Sequence, residues 1–229
     1  MDIVTGVGVL DKTVAVLRAV AGQPCSLAEL QEATDLPRAT AHRLAVALEK
    51  HGLLRRDDVG RFDLGPELAT LGRAAAERYP LATIALPVLE RLRDSIGESV
   101  QLFVRDGDQR RCVLSLQSPH ALRWIVPEGV LFPLDVGSAG KALTGETGRQ
   151  GWVASVEERE AGVASVSAPV TTTDGSLVAA VSISGPIDRM TRDPGRRFGH
   201  QVREAAAEVA GLLPERTPRN DRSGSDNSG

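Results

Sequence analysis

The chain has 229 residues, 41% hydrophobic and 25% charged, with 27 Lys and Arg against 30 Asp and Glu for a formal charge of -3. That leaves room for two modest domains with cores of their own, and the acidic balance excludes a promiscuous polybasic binder. No apolar run is long enough to cross a bilayer and no basic, apolar and small-residue leader precedes the first helical pattern, so a cytoplasmic protein without a membrane partner is expected.

In the first predicted helix, Val9, Thr13, Val16 and Val20 interleave with Leu10, Val14, Leu17 and Ala21, giving a broad apolar face to pack beneath later helices. Ser26-Leu27-Ala28-Glu29 is a capping box that fixes the start of a second helix, which carries Leu27, Leu30 and Ala33 and ends near Asp35. Pro37 then suits the first turn of a third helix, since the amide it lacks would have no partner there. Ala41, Leu44, Ala45 and Leu48 form its buried stripe, while Ala39, His42, Arg43, Val46 and Lys50 lie opposite. A small Ala among Arg and His lets the helix backbone approach a surface while long donors reach past it, as insertion into a major groove requires.

Gly52 stops that helix. Leu53-Leu54-Arg55-Arg56 and Arg61-Phe62-Asp63-Leu64, joined through Asp57-Asp58-Val59-Gly60, have the alternation and turn chemistry of a hairpin, so the segment reads as a winged helix-turn-helix. Between Pro37 and Arg61 stand six basic residues (Arg38, Arg43, Lys50, Arg55, Arg56, Arg61) against three acidic ones (Glu49, Asp57, Asp58). Phosphate neutralisation needs local positive charge, and the acidic total does not oppose it. A module of this kind can also serve as a docking or oligomerisation surface, which is the alternative function.

Pro66 to Tyr79 is an Ala-rich helical pattern with Leu68, Leu71 and Ala75 on one face, broken at Pro80, and Leu81 to Ile96 is another, kinked or started at Pro87. The expected division is residues 6–66 for the DNA-binding domain, 67–80 for a linker helix, 81–213 for a second domain and 214–229 for a disordered tail poor in apolar residues. Strands are predicted at Val100–Val104, Arg111–Leu116, Leu122–Val126, Ser165–Val170 and Leu177–Ser184, with a closing helix from about Arg196 to Leu213. Strands with helices at the ends suggest an α+β sensor-type module.

No catalytic set is assembled. His120 and His200 stand alone, no Ser sits in a G-x-S-x-G elbow, and Gly137-Ser138-Ala139-Gly140-Lys141 fails as a phosphate loop because Asp135 and Ala142 occupy required Gly and Ser/Thr positions. Glu157, Glu158 and Glu160 lack partners at metal-ligand spacing and read as a solvated acidic turn, and Cys25 and Cys112 read as reduced and structural. Neither an enzyme, a metal nor a cofactor is expected. What remains is hydroxyls on apolar strands: Ser165, Ser182 and Ser184, with Ser138 at a helix start. Two readings stay open, a site for a small carboxylate or serines that merely bond neighbouring backbone.

The ordered motifs resemble the IclR family of bacterial transcription regulators from about Val7 to Leu213. They include Gly8-Val9-Leu10-Asp11-Lys12, Leu36-Pro37-Arg38-Ala39-Thr40-Ala41-His42-Arg43-Leu44, Gly137-Ser138-Ala139-Gly140-Lys141-Ala142-Leu143 and Ala179-Ala180-Val181-Ser182-Ile183-Ser184-Gly185-Pro186. The details look closest to the actinobacterial branch associated with leucine and other amino-acid biosynthesis genes. The resemblance implies a winged helix, a linker helix and a GAF-like effector domain, assembled as homodimers or dimers of dimers, and a repressor that binds an operator in double-stranded DNA and a small organic acid or amino-acid effector. Arg38, Thr40, His42 and Arg43 are then the expected base and phosphate contacts, with Arg55, Arg56 and Arg61 on phosphate or in the minor groove. By matching motifs the effector pocket is expected from Trp124, Ser138, Ala139, Ser155, Ser165, Ser182 and Ser184. Ser155 and Ser165 stand where some relatives carry Asp and Cys, and the short run Thr144 to Gln150 replaces a longer helix and connection, so a helix covering the pocket side of the sheet is expected to be absent and the effector site open, altered or lost, with DNA binding and dimerisation kept.

Overall fold

The computed structural model describes residues 7–78 and 80–214, and the chain divides into two compact units between 79 and 80. The expected disordered tail lies outside the described residues from residue 215 on.

In the first unit, α1 (Gly8–Gly22), α2 (Leu27–Thr34) and α3 (Arg38–Lys50) are followed by the hairpin β1 (Leu54–Arg56) and β2 (Phe62–Leu64), then α4 (Pro66–Arg78). The capping box forms as a reciprocal pair, Ser26 Oγ accepting from the Glu29 amide and the Glu29 carboxylate accepting from the Ser26 amide at 2.7 Å. Asp35 ends α2 in the left-handed region with φ 51°, and Pro37 sits at the cap before α3 rather than inside its first turn. At the far end of α3, Gly52 has φ +69° and the Leu53 amide reaches back to the Leu48 carbonyl at 2.9 Å, which satisfies the last carbonyls of the helix.

Val16, Val20, Cys25, Leu30, Ala45, Leu48, Leu54 and Phe62 make one core. Cys25 belongs to it through both backbone bonds with Phe62, each 2.8 Å. The apolar face of α1 is buried only in its second half. Val9 and Leu10 stay exposed, because nothing in this unit covers the first turn.

The second unit is a six-stranded antiparallel sheet in the order β5-β4-β3-β8-β7-β6. Its elements are α5 (Leu81–Ile96), β3 (Ser99–Asp106), β4 (Gln109–Leu116), β5 (Leu131–Pro133), α6 (Ser138–Leu143), β6 (Val153–Val156), β7 (Val163–Thr171), β8 (Leu177–Pro186), α7 (Ile187–Met190) and α8 (Pro194–Leu212). α5 and α8 cover one face, and α6 lies on the other. Period-two alternation sorts the side chains: Ala164, Val166, Ala168 and Val170 of β7 and Ala179, Val181 and Ile183 of β8 join the helix-side core. Ser165, Ser167, Ala180, Ser182 and Ser184 fall on the α6 side. α5 runs unbroken through Pro87, and α8 starts with Asp193 capping the Arg196 amide at 3.1 Å.

β4 changes face midway. The register shift opposite Leu102 and Phe103 leaves Leu114 in the helix-side core and sends Cys112 and Arg110 to the α6 side. Burial there pushes the Cys112 thiol up to about 12, and it remains a core group. The strand expected at Leu122–Val126 does not form. Its carbonyls are taken by side chains instead, Leu122 by Arg189 at 2.9 Å and Trp124 by Ser99 at 2.8 Å, and Leu122 is 70% exposed. β5 and β6, both short edge strands, complete the sheet in its place. No described helix is long and apolar enough to cross a membrane.

Two glycines of the first unit should respond oppositely to alanine. A Cβ at Gly65 would lie 2.1 Å from the Gly52 carbonyl oxygen, so Gly65→Ala should destabilise by about 1–3 kcal/mol in chemical denaturation. Gly72, inside α4 with nothing near its missing Cβ, should stabilise by about 0.5–1 kcal/mol as Ala.

Candidate functional site

Two surfaces carry the polar chemistry, one in each unit. In the first, α3 buries Ala41, Ala45 and Leu48 and turns Ala39, His42, Arg43, Ala47 and Lys50 outward. Among the described residues Arg43 and His42 make no hydrogen bond or ion pair, so their donors face outward uncommitted. Arg38 reaches only Gln31, at 3.4 Å, and Thr40 is half-buried.

The wing is different, because each of its arginines is held by an acid of the same module. Arg55 pairs with Asp63, Arg56 with Glu49 at 3.2 Å, and Arg61 with Asp57 at 2.8 Å. Arg56 also donates to the Gly60 carbonyl at 2.9 Å and stacks 4.2 Å over the Phe62 ring. Asp57 organises the turn by accepting from the Val59 and Arg61 amides at 3.1 and 2.8 Å. Burial pushes its carboxyl up, but the Arg61 amide and guanidinium and the Val59 amide outweigh it and hold it below the usual range. Such exposed pairs are screened by solvent and weak, so a phosphate can displace them at small cost. Charge counting along the sequence could not separate these paired arginines from Arg43.

In the second unit, Ser138, Ala139, Ser155, Ser165, Ser182 and Ser184 line one cavity of about 30 Å³. It has space for about one or two waters rather than a whole metabolite. Trp124 does not line it; the indole lies under Arg159, 5.2 Å from that guanidinium. The cavity is thus small. α6 has only six residues, and the wall also includes Glu158, Arg159 and Glu160 of the turn before β7 and Val163 at its start, with Gln101, Phe103, Arg110 and Val126.

The serines bond mainly to one another. Ser167 donates to Ser182 at 2.9 Å, so Ser138 must donate to Ser167 at 2.8 Å and Ser165 to Ser138 at 2.7 Å. The chain runs one way and ends on Ser182, whose own hydrogen has no acceptor among the described residues. Ser184 donates to Gln101 Oε1 at 2.9 Å, leaving Gln101 Nε2 buried and unpartnered.

Gln101 and Arg110 escaped the sequence reading: Gln101 shares the parity of Phe103 on β3, whereas the register shift in β4 puts Arg110 on a face that its even spacing from Leu114 would not give. Arg110 is two residues before Cys112 and only 2% exposed, with one hydrogen bond, to the Pro133 carbonyl, and an unpartnered Nε. Burial first and then the Arg159 charge, against an opposing effect of Asp135, lower its guanidinium pKa to about 10, so it stays charged at neutral pH.

The acidic turn does structural work at the rim. Glu158 accepts from the Gly137 amide at 3.1 Å and from Lys141 Nζ at 2.6 Å, and Glu157 from the Gly162 amide at 3.0 Å. Burial pushes the Glu158 carboxyl up, yet Lys141 and the Gly137 amide overcome this and hold it below the ordinary carboxylate range. A depressed folded-state pKa means stabilisation that is present at neutral pH and lost as pH falls through the folded value. Unfolding titrations between neutral and acid pH should therefore show Glu158→Gln flattening the acid-side loss of stability.

Known proteins place these features. The IclR helix-turn-helix domain model matches residues 9–58, and the bacterial transcriptional regulator IclR C-terminal model matches 73–148 and 144–210. Curated relatives include the HTH-type transcriptional regulator KipR of Bacillus subtilis, 26% identical over 87% of this chain and 94% of that protein. The transcriptional repressor IclR of Escherichia coli is also 26% identical, over 80% of this chain and 81% of its own length. Among solved structures, an IclR homolog from Microbacterium hydrocarbonoxydans complexed with 4-hydroxybenzoate superposes with a TM-score of 0.76 at 22% identity, covering 90% of this chain and 98% of that one. The Thermotoga maritima IclR superposes with a TM-score of 0.70, also at 22% identity, over 89% of this chain and 98% of that one. At that identity the likeness is one of fold, an N-terminal helix-turn-helix with an α+β domain of GAF-like type. With the C-terminal family model matching well over half of its length, the chain belongs to the IclR family of DNA-binding transcriptional regulators.

Proposed function

We propose that the chain is a metabolite-responsive repressor whose α3 reads an operator in the major groove. The observation that carries this reading is the uncommitted pair Arg43 and His42 on the outer face of α3, beside wing arginines held by their own acids. Arg43, with His42, Thr40 and Arg38, contacts bases and adjacent phosphates. Arg55, Arg56 and Arg61 exchange their carboxylates for phosphate or minor-groove contacts. Residues 6–66 form the DNA-binding domain, 67–80 the linker helix and 81–213 the effector domain. The repressor sign is supported by relatives that carry that name, the Escherichia coli repressors IclR and AllR among them.

The cavity lined by Ser138, Ala139, Ser155, Ser165, Ser182 and Ser184, with Trp124 beside it, binds a small organic acid or amino-acid metabolite. Support comes from its unshared donors and from the relative complexed with 4-hydroxybenzoate. The motifs of the first helix, α3 and β7 favour the actinobacterial branch that controls amino-acid biosynthesis genes. Assembly as a homodimer or dimer of dimers is supported by exposed Val7 just before α1, by Val9 and Leu10 in its first turn and by Leu71 on α4, a helix with no buried residue, and the cytoplasm is the place where such a DNA-binding regulator acts.

Fluorescence anisotropy against DNA from upstream of its own gene, beside scrambled DNA and at two salt concentrations, tests the regulator reading. Selective binding that weakens with salt is expected. Arg43→Ala should cost about 1–3 kcal/mol and relax selectivity, whereas Arg61→Ala should weaken all sequences alike and reduce the salt slope by about one. Equal weak binding to both DNAs would instead favour a docking role for the winged helix.

A further inference from the structure

The cavity wall holds two cations with no carboxylate paired to them. Arg110, on the buried face of β4, and Arg159, in the turn before β7, both line it, and neither takes part in any ion pair among the described residues. Their neighbours show how unusual this is. Arg111, one residue on, pairs with Asp106; Lys141 takes Glu158, and Arg192 takes Glu157. Asp135 and Glu160 act on the two guanidiniums only at longer range.

The two cations also crowd one ring. Arg110 lies 5.3 Å and Arg159 4.3 Å from the Phe132 centroid, so they stand close enough to repel one another. An aromatic face softens the cost of a buried cation without cancelling its charge. Every other polar group left over at this place is a donor as well: Arg110 Nε, Gln101 Nε2, the Ser182 hydroxyl hydrogen and, beneath Arg159, Trp124 Nε1. Glu158 and Glu160 also line the cavity, but Glu158 is held by Lys141 and the Gly137 amide and neither pairs with Arg110 or Arg159, so the two guanidiniums and these donors suit an acceptor-rich partner with a carboxylate for each cation.

We infer that Arg110 and Arg159 form a two-point clamp for a small dicarboxylate, one carboxylate on each guanidinium, with the serine row and Gln101 reading an oxygen on the carbon chain between them. Planar guanidinium forks match carboxylates in bidentate geometry, and the apolar Phe103, Val126 and Val163 suit a short aliphatic body. The cavity accommodates one carboxylate-sized group as it stands. The second is admitted by drawing Arg159 away from the Trp124 and Phe132 rings. This inference rests on the effector reading of the cavity and adds the charge and the residues that read it.

Calorimetric titration of the full chain with malate, lactate and inorganic phosphate, followed in parallel by tryptophan emission, tests it. Malate should bind at least about tenfold tighter than lactate and than phosphate, and should change the emission of Trp124, assigned with a Trp152→Phe background. Arg159→Gln, at a half-exposed turn position and shown to be folded by circular dichroism, should remove most of the preference for malate while leaving lactate binding nearly as it was. Arg159→Lys should restore part of it, and Arg110→Gln, if folded by circular dichroism, should weaken both acids. Equal affinity for malate and lactate, or Arg159→Gln without effect, would overturn the clamp and leave the acid-binding cavity standing. Phosphate binding tighter than malate would overturn the dicarboxylate. Failure of both acids to bind would remove the effector reading itself, and the clamp with it.

Discussion

Strand alternation in β7 and β8 is the constraint on which the second unit depends. The sheet is buried on both faces, so each strand must supply two kinds of surface at once. Methyl-bearing residues at Ala164, Val166, Ala168, Val181 and Ile183 meet α5 and α8, and the hydroxyls between them meet α6. A slip of one residue would bring serines into the apolar core and methyls to the hydroxyl chain, so the register is strongly specified. Gly140 lets α6 pass close to the backbone that follows β5: a Cβ there would sit 1.9 Å from the Leu134 carbonyl oxygen and 2.9 Å from the Arg110 guanidinium.

The two units handle positive charge in opposite ways. The wing pairs each arginine with an acid from the same hairpin or from the end of α3, which gives the hairpin its shape, while Arg43 on α3 is left without such a pair among the described residues. Those pairs are solvated and exchangeable. In the second unit Arg110 is buried and Arg159 half-buried beside it, and neither is paired with an acid among the described residues. Arg110 is held by packing, with the Phe103 and Phe132 rings 5.6 and 5.3 Å from its guanidinium and a single carbonyl for hydrogen bonding. An arrangement of that kind costs folding free energy, and a protein keeps it where a ligand recovers the loss.

Local chemistry made much of the fold legible. The capping box at Ser26, the stop at Gly52, the hairpin turn at Asp57 to Gly60 and the long alternation of β7 and β8 each state their own structure within a few residues. β5 and β6 were not legible, because strands of three and four residues at a sheet edge carry too little periodicity to stand out. The segment Leu122–Val126 has the composition of a strand, but side chains of Ser99 and Arg189, far away in sequence, claim its carbonyls.

The sequence by itself determined the helices and turns, the winged helix-turn-helix with its outward Arg43, the α+β character of the second unit and the serines that share one face. Those follow from contacts within a turn of helix or along one strand, where spacing is geometry. Tertiary structure alone decided which charges are spent and which are free. Whether Arg56 meets Glu49, whether Arg110 meets no acid at all, and that the serines bond one another across three elements depend on which strands become neighbours. A single bulge in β4 turned Arg110 inward, and no periodicity in the sequence marks where that phase changes.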